Sequence, residues 1–390
     1  MFTIEVDKTY EIIIKIFYLS GVWQRDKESN FRYIDNRQLF YSFFGVLLPI
    51  FFLTNAYLCN DRNESLFSVH ATIVAAVVYV KLLYLLFKKD EFLTFLYDPI
   101  IVHSFETREE YDRMIKKIQK FIRFVRPYCS AFFVTAFLII VIRLPAFSAD
   151  KGLPVFISFS WNDSEIVYWL AYLFVSLSCI LYVIANVIAP IIWYIMMNYS
   201  IEYELLGNKL RNLGMANKTK ETRVKNQKNF RLPRRSMFVK DLIVLIKSHR
   251  NLTETVERFR SCFSTLFFCQ ITTSGIVICA SVYSLAFVSN QNIVQTEMYV
   301  VVLLYGIFDI FLVMYLANDI TIASDRLSYC LFESNWIDQT ESCKKYVLIM
   351  GEVLKQPQQL VILIYPMNLE TFMTVINGAY SMFNILKNFQ

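Results

Sequence analysis

Seven stretches of this chain stay apolar for about twenty residues at a time, and that pattern limits the folds open to it. A helix rising 1.5 Å per residue crosses some 30 Å of hydrocarbon in about twenty residues. The runs are residues 39–59, 66–87, 128–147, 166–197, 262–288, 299–317 and 367–389. Inside hydrocarbon every backbone N–H and C=O must be satisfied by the chain itself, which leaves helices or a closed barrel. Runs this long are helical, so the sequence predicts an all-α protein with seven membrane spans. The fourth run is long for one span and is expected to continue past the bilayer.

Composition supports this. Hydrophobic residues make up 56% of the 390 and charged residues only 18%, against about 25% charged in an ordinary soluble domain. A soluble enzyme and a nucleic-acid binder are excluded as first readings. The segment 12–23 is short, is interrupted by Lys15 and has no small-residue cleavage site. It reads as an interfacial helix rather than a secretory signal.

Basic residues stay on the cytoplasmic side of short loops. Along the chain the Lys/Arg counts are 6 in 1–38, 1 in 60–65, 9 in 88–127, 1 in 148–165, 15 in 198–261, 0 in 289–298 and 4 in 318–366. One side therefore holds 34 and the other 2. The N-terminus is expected in the cytoplasm and the C-terminus outside. This is the reverse of a G-protein-coupled receptor. Asp112-Arg113-Met114 precedes the third span instead of following it, so its likeness to a receptor D-R-Y triplet is chance. Sequons at Asn63 and Asn162 fall in expected outer loops, while those at Asn198, Asn217 and Asn251 fall inside, so they permit the topology without fixing it.

Charges within the spans are few. Asp309 sits mid-span, where a carboxylate is costly and faces protein or water. Lys81 and Arg143 lie near span ends, where long side chains snorkel to the interface. The stretch 217–236 carries eight Lys/Arg and one acid, Glu221. It reads as a solvated loop that helps fix topology, with anionic lipid or calmodulin as the functional alternatives. On either side of it, 199–213 and 238–260 have helical character, with Leu242, Leu245, Ile246, Leu252 and Val256 forming a stripe. The fourth and fifth spans should thus extend into the cytoplasm and seek partners there, which neighbouring subunits can supply.

The eight Cys show no C-x-x-C spacing, and His70, His103 and His249 join no ligand cluster. No metal or other cofactor is expected. Nor does any Ser/His/Asp set, phosphate loop or carboxylate pair suggest catalysis. The outer halves of the spans instead carry aromatics and small residues, including Tyr168, Tyr172, Tyr283, Tyr299 and Tyr305. A mostly apolar pocket with a few hydroxyls is the usual form of a small-molecule site. Outer-half positions at helical spacing are Ile73 and Val77, Phe137 and Ile140, Tyr172 and Ser176, and Tyr305. An aromatic belt at the interface is the structural alternative for Tyr168 and Tyr299. In the seventh run, Tyr380, Phe383, Asn384 and Lys387 share one helical face that mixes apolar, amide and charged groups. Lipid tolerates the last two poorly, so this face is expected to look toward water or protein. A pore is one such surrounding, and packing on a neighbouring helix is the other.

Four stretches resemble the insect odorant receptor family. Phe17-Tyr18-Leu19-Ser20-Gly21-Val22-Trp23 is similar to its N-terminal L-G-L-W element. The segment 241–279 resembles its fifth-span region, with His249 and Cys279 in the matching contexts. Phe332-Glu333-Ser334-Asn335-Trp336 resembles Y-x-S-x-W. Leu369-Glu370-Thr371-Phe372, followed by the segment from Ala379 to Leu386, resembles L-E-T-F and S-Y-S-F-F-T-L-L. Phe332 stands where Tyr is usual and Asn384 where Thr is. Leu386 and Lys387 occupy the Gln and Phe places of the gustatory-receptor ending, an ending the shared co-receptor resembles, so the likeness is to a tuned odorant receptor subunit.

The resemblance implies an odorant-gated, non-selective cation channel in the plasma membrane. Its partners would be a small volatile odorant, membrane lipid and co-receptor subunits in a heterotetramer, with no nucleic acid. On that basis the chain divides into a cytoplasmic segment 1–38, spans one to six over 39–317 with the basic cytoplasmic loop 198–261, an anchor region 318–366, and a pore-lining helix 367–390. Helices four to seven would extend into the cytoplasmic anchor. A seven-span signalling receptor without its own pore is the alternative from another class. A carrier has less support, because the sequence shows no internal repeat.

Overall fold

The computed structural model describes residues 7–24, 36–59, 62–97, 108–142, 144, 152–154, 157–158, 164–214, 231–287 and 293–388. Among these the chain forms eleven helices: α1 (Lys8–Leu19), α2 (Asn36–Leu58), α3 (Arg62–Phe87), α4 (Lys89–Tyr97), α5 (Arg108–Ile142), α6 (Glu165–Asn186), α7 (Ile188–Arg211), α8 (Arg231–Phe287), α9 (Ile293–Phe332), α10 (Glu341–Leu354) and α11 (Leu369–Asn388). Two antiparallel hairpins complete the described elements. Gly152–Leu153 (β1) pairs with Ile157–Ser158 (β2), and Val361–Ile362 (β3) with Tyr365–Pro366 (β4).

Six helical stretches are long and apolar enough to cross a membrane, in α2, α3, α5, the α6–α7 pair, α8 and α9. The seventh apolar run is α11, which also carries Glu370, Asn377, Asn384 and Lys387 and is correspondingly less apolar. The all-α, multi-span architecture read from the apolar runs is therefore the architecture observed. Its helices overshoot the runs on one side. At 57 residues, α8 is roughly 85 Å long at 1.5 Å per residue, far more than a bilayer requires.

The fourth run is two helices. Pro190 has no N–H to give the carbonyl of Asn186, four residues earlier, and its ring crowds that carbonyl. The helix stops at Asn186 and restarts at Ile188. Beyond the break, α7 is buried on nearly every side. Trp193, Tyr194, Tyr199 and Tyr203 are among the largest fully enclosed side chains. Such a helix is the centre of a core and not a surface.

That burial corrects one expectation. The stripe Leu242, Leu245, Leu252 and Val256 on α8 is buried within the chain itself. Here α8 meets α7 through Tyr199 against Phe259 and Tyr203 Oη 3.4 Å from Thr253 Oγ1. The chain covers this stripe without a second subunit. The N-terminal helix is likewise docked on protein as well as amphipathic. Asp7 caps it by accepting from the Thr9 N–H at 2.8 Å, Tyr10 stacks on Tyr194 at 4.1 Å, and Trp23 Nε1 donates to the Leu85 carbonyl at 2.7 Å.

At the same end of the molecule α9 turns into α10 through the segment resembling Y-x-S-x-W. Trp336 Nε1 donates to the Phe332 carbonyl at 3.1 Å. The Phe332 ring covers Gly351, where an added Cβ would lie only 2.5 Å from it. A side chain at this position would have to push the Phe332 ring aside; no unusual backbone conformation calls for glycine here.

At the opposite end, the structure changes the reading of two aromatics. Tyr168 and Tyr299 are buried, not spread along an interfacial belt. Tyr168 and Tyr172 form a small core with Leu153 of β1. Arg143, Asn162, the side chain of Asn63 and most of 217–236 lie outside the described residues.

Candidate functional site: a cavity with a polar floor

Between α2, α3, α5, α6 and α9 lies a cavity of about 250 Å³, room for roughly eight water-sized groups. It sits toward the α2–α3 connection, away from the extended helical end. Leu48 and Phe52 of α2, Val74 and Val78 of α3, and Ala136 and Ile139 of α5 supply apolar wall. Cys179, Tyr182 and Asn186 of α6 and Met298 and Val302 of α9 close the other side. The local reason for these walls is simple. Gly45 lets α2 approach α3, since a Cβ there would meet Leu82 at 2.7 Å, and the break after Asn186 ends α6 at the cavity's edge.

Polar atoms on this wall are few and mostly engaged. Tyr182 donates its hydroxyl to the Gly45 carbonyl at 2.8 Å. His70 Nε2 lies 3.4 Å from Ser281 Oγ, with the Tyr299 ring edge-on at 5.6 Å. Asn186 receives the Tyr305 hydroxyl on Oδ1 at 3.0 Å. Tyr305 in turn accepts from the Lys81 ammonium at 2.9 Å, and the same ammonium reaches Asp309 Oδ2 at 2.9 Å. Lys81 therefore does not snorkel. It is buried between α3 and α9, where a carboxylate and a hydroxyl neutralise and solvate it in place of water. Asp309, expected to make a buried polar contact, has this one.

The seven pocket positions inferred from sequence lie on α3, α5, α6 and α9, four of the helices that bound this cavity, and none lines it. Ile73 and Val77 are half-buried on α3, one residue before Val74 and Val78. Phe137 is 66% exposed beside Ala136. Ile140 is half-buried, and its carbonyl receives the Tyr172 hydroxyl at 2.5 Å. Tyr172 and Ser176 are buried on α6, and Tyr172 packs toward α5 and β1. Tyr305 is one turn below Val302 and enters the site through Asn186. Sequence reasoning missed Asn186. The signal for it was Pro190, four residues on, which marks a break inside an apolar run.

On α11, Ala379 is buried against Ile278 and Cys279 of α8, with Ile376 and Phe383 beside it. Phe372 meets Phe311 of α9 at 5.4 Å. Phe383 thus leans onto its own bundle, whereas Tyr380 and Lys387 are exposed and Asn384 is half-buried. The face opposite Ala379 carries Thr374, Asn377, Ser381 and Asn384 at alternating spacings of three and four. The first three are exposed, and the Thr374 and Ser381 hydroxyls bond back to the carbonyls of Glu370 and Asn377. This polar stripe, apart from Asn384, was not singled out from the sequence. Among the described residues, no group of three or more His, Cys, Asp or Glu could hold a metal ion.

The family model described as 7tm Odorant receptor matches residues 62–380. Odorant receptor 46a, isoform B, of Drosophila melanogaster is 24% identical over 399 aligned positions, covering 97% of each chain. Odorant receptor 94a of the same fly is 23% identical, covering 98% of this chain and 97% of that one. In three dimensions the chain resembles the insect olfactory receptor OR5 of Machilis hrabei, solved in complex with eugenol, with a TM-score of 0.75, 16% identity and 99% of both chains covered. The structure of OR5 alone gives the same TM-score over 97% of both chains at 15% identity.

Proposed function

Because this chain belongs to the 7tm odorant receptor family, we propose that it is the tuned subunit of an odorant-gated, non-selective cation channel. It would work in a heterotetramer with co-receptor subunits in the plasma membrane of a sensory neuron. Its N-terminus is cytoplasmic and its C-terminus external, in keeping with the 34-to-2 split of basic residues. In that orientation the cavity between α2, α3, α5, α6 and α9 occupies the outer half of the bundle and receives a small volatile molecule. The α11 helices of neighbouring subunits surround the pore.

The observation that carries this reading is the polar stripe Thr374, Asn377, Ser381 and Asn384. It is the face of α11 turned away from α8 and α9, in a helix of membrane-spanning length. The Thr374 and Ser381 hydroxyls are satisfied within the helix, but amides turned to lipid are costly, so this reading gives the face water or another subunit as its neighbour. Exposed apolar residues at the other end support assembly. Tyr346, Leu348, Ile349 and Val353 stand free on α10, outside the spans, where no lipid would cover them. The anchor role of 318–366 rests on them.

The test is current. Cells expressing this chain with the co-receptor are exposed to an odorant panel while G-protein signalling is blocked. Odorant-evoked cation current that is absent with the co-receptor alone supports the channel reading. Responses that require G proteins support a seven-span signalling receptor without its own pore.

A further inference from the structure

We propose that the cavity selects neutral, mostly apolar molecules bearing one hydrogen-bond acceptor, and that Asn186 Nδ2 is the donor that selects them. The proposal rests on the reading of this cavity as the odorant site. It follows from the direction of one hydrogen-bond chain. An ammonium has three donors and no acceptor. Lys81 Nζ is 2.9 Å from Tyr305 Oη, so the phenol oxygen accepts there. The single phenolic hydrogen is then available to Asn186, 3.0 Å away. Only the amide oxygen can accept it, so Oδ1 faces Tyr305 and the two hydrogens of Nδ2 are left over.

Asn186 is half-buried and lines the cavity, and among the described residues Nδ2 has no protein partner. Asp309 completes the arrangement by holding Lys81 in its charged, donor-only form at 2.9 Å. A buried ion pair thus fixes the polarity of an amide on the cavity wall, although neither of its members lines the cavity.

The other polar groups on the wall do not impose the same choice. The Tyr182 hydroxyl is committed to the Gly45 carbonyl. His70 Nδ1 is enclosed by protein. The Thr135 hydroxyl rotates and serves donors and acceptors equally. An aliphatic ketone, aldehyde or ester therefore finds a partner at Asn186 that a hydrocarbon of the same shape does not.

The test compares 2-octanone with 2-methyl-1-octene, in which a methylene replaces the carbonyl oxygen. Each displaces radiolabelled 2-octanone from membranes of cells expressing the full-length chain with the co-receptor, less the signal from the co-receptor alone. Comparing the ratio of inhibition constants between wild type and variants cancels the probes' different partition into lipid. One neutral hydrogen bond corresponds to roughly two- to tenfold in affinity. The ketone preference should fall by about that factor in Asn186→Leu. It should also shrink in Tyr305→Phe, which frees the amide to turn over and serves as the readout if the first variant does not fold. An unchanged ratio in both variants, with Ala136→Phe excluding both probes, overturns the assignment to Asn186 and leaves the cavity as the site. If Ala136→Phe leaves both probes bound as in wild type, the cavity reading itself falls.

Discussion

The Lys81 ammonium and the Asp309 carboxylate meet at 2.9 Å from positions 228 residues apart, with their side chains only 2% and 3% exposed. Each would be intolerable alone in the middle of an apolar bundle. Together, and with Tyr305 as a third partner, they join α3 to α9. Asp309 Oδ1 has no partner among the described residues, so the pair is not fully solvated by protein. A buried pair of this kind gives little net stability over two apolar side chains, but loss of one member strands a charge at a cost of about 3–5 kcal/mol.

Lys81→Met and Asp309→Leu should therefore each reduce surface expression and lower the unfolding temperature in detergent. The double variant should recover most of both losses, because it leaves no charge behind. Additive losses in the double variant would mean that the two residues do not stabilise each other.

The cavity makes a prediction that separates neighbouring residues on one helix. Val74 lines it and Val77 does not. Val74→Phe should shift odorant dose–response curves by about ten- to two-hundredfold, the range for a misfit of one or more methylenes in an apolar pocket. Larger ligands should suffer most. Val77→Phe should shift them less and evenly. Tyr172→Ala removes the hydrogen bond to the Ile140 carbonyl and should lower stability without changing the ranking of ligands. A Val77→Phe effect that is the larger and depends on ligand size would move the binding face back to the one inferred from sequence.

What could be read from the sequence follows from where periodicity carries information. Apolar runs of twenty residues mark spans because length alone is decisive. The buried stripe Leu242–Leu245–Leu252–Val256 was visible because α8 there alternates with charged positions. On α3 and the last part of α5 nearly every residue is apolar, so no side is marked as facing the cavity, and the positions inferred there lie one residue from its wall. One residue is about 100° around a helix. The Lys81–Asp309 contact had no local signature, since each lies in its own span and only side chains reaching between α3 and α9 join them. What covers the α8 stripe was equally hidden, because an apolar face does not specify whether its partner is the same chain or another.

Orientation has its own test. The basic residues divide 34 to 2 between the two sides. An epitope tag after Gln390 should be stained on intact cells, and a tag before Met1 only after permeabilisation. The reverse pattern would place the cavity in the inner half and remove it as a site reached from outside.

The pore prediction draws on how α11 is held. Its Ala379 face is packed on α8, and its Thr374, Asn377, Ser381 and Asn384 face is not. If the unpacked face borders the conduction path, its polar groups replace part of the water around a passing cation. Asn377→Leu should then reduce single-channel conductance while leaving the odorant concentration for half-activation nearly unchanged. Lys387 is exposed near the end of α11 proposed to lie outside, where its charge would repel cations over roughly the 8 Å Debye length of physiological salt. Lys387→Glu should raise cation conductance and calcium preference, and the effect should fade as ionic strength rises. Phe383 behaves differently because it packs against the small cluster of Ile278, Cys279 and Ala379 that seats α11 on α8. Its removal loosens the seat of α11 on α8, so Phe383→Ala should raise ligand-free current rather than alter selectivity. Recordings from cells with matched surface expression separate these effects. If Asn377→Leu and Lys387→Glu both conduct like wild type, the polar face is a contact between subunits and the ions pass elsewhere.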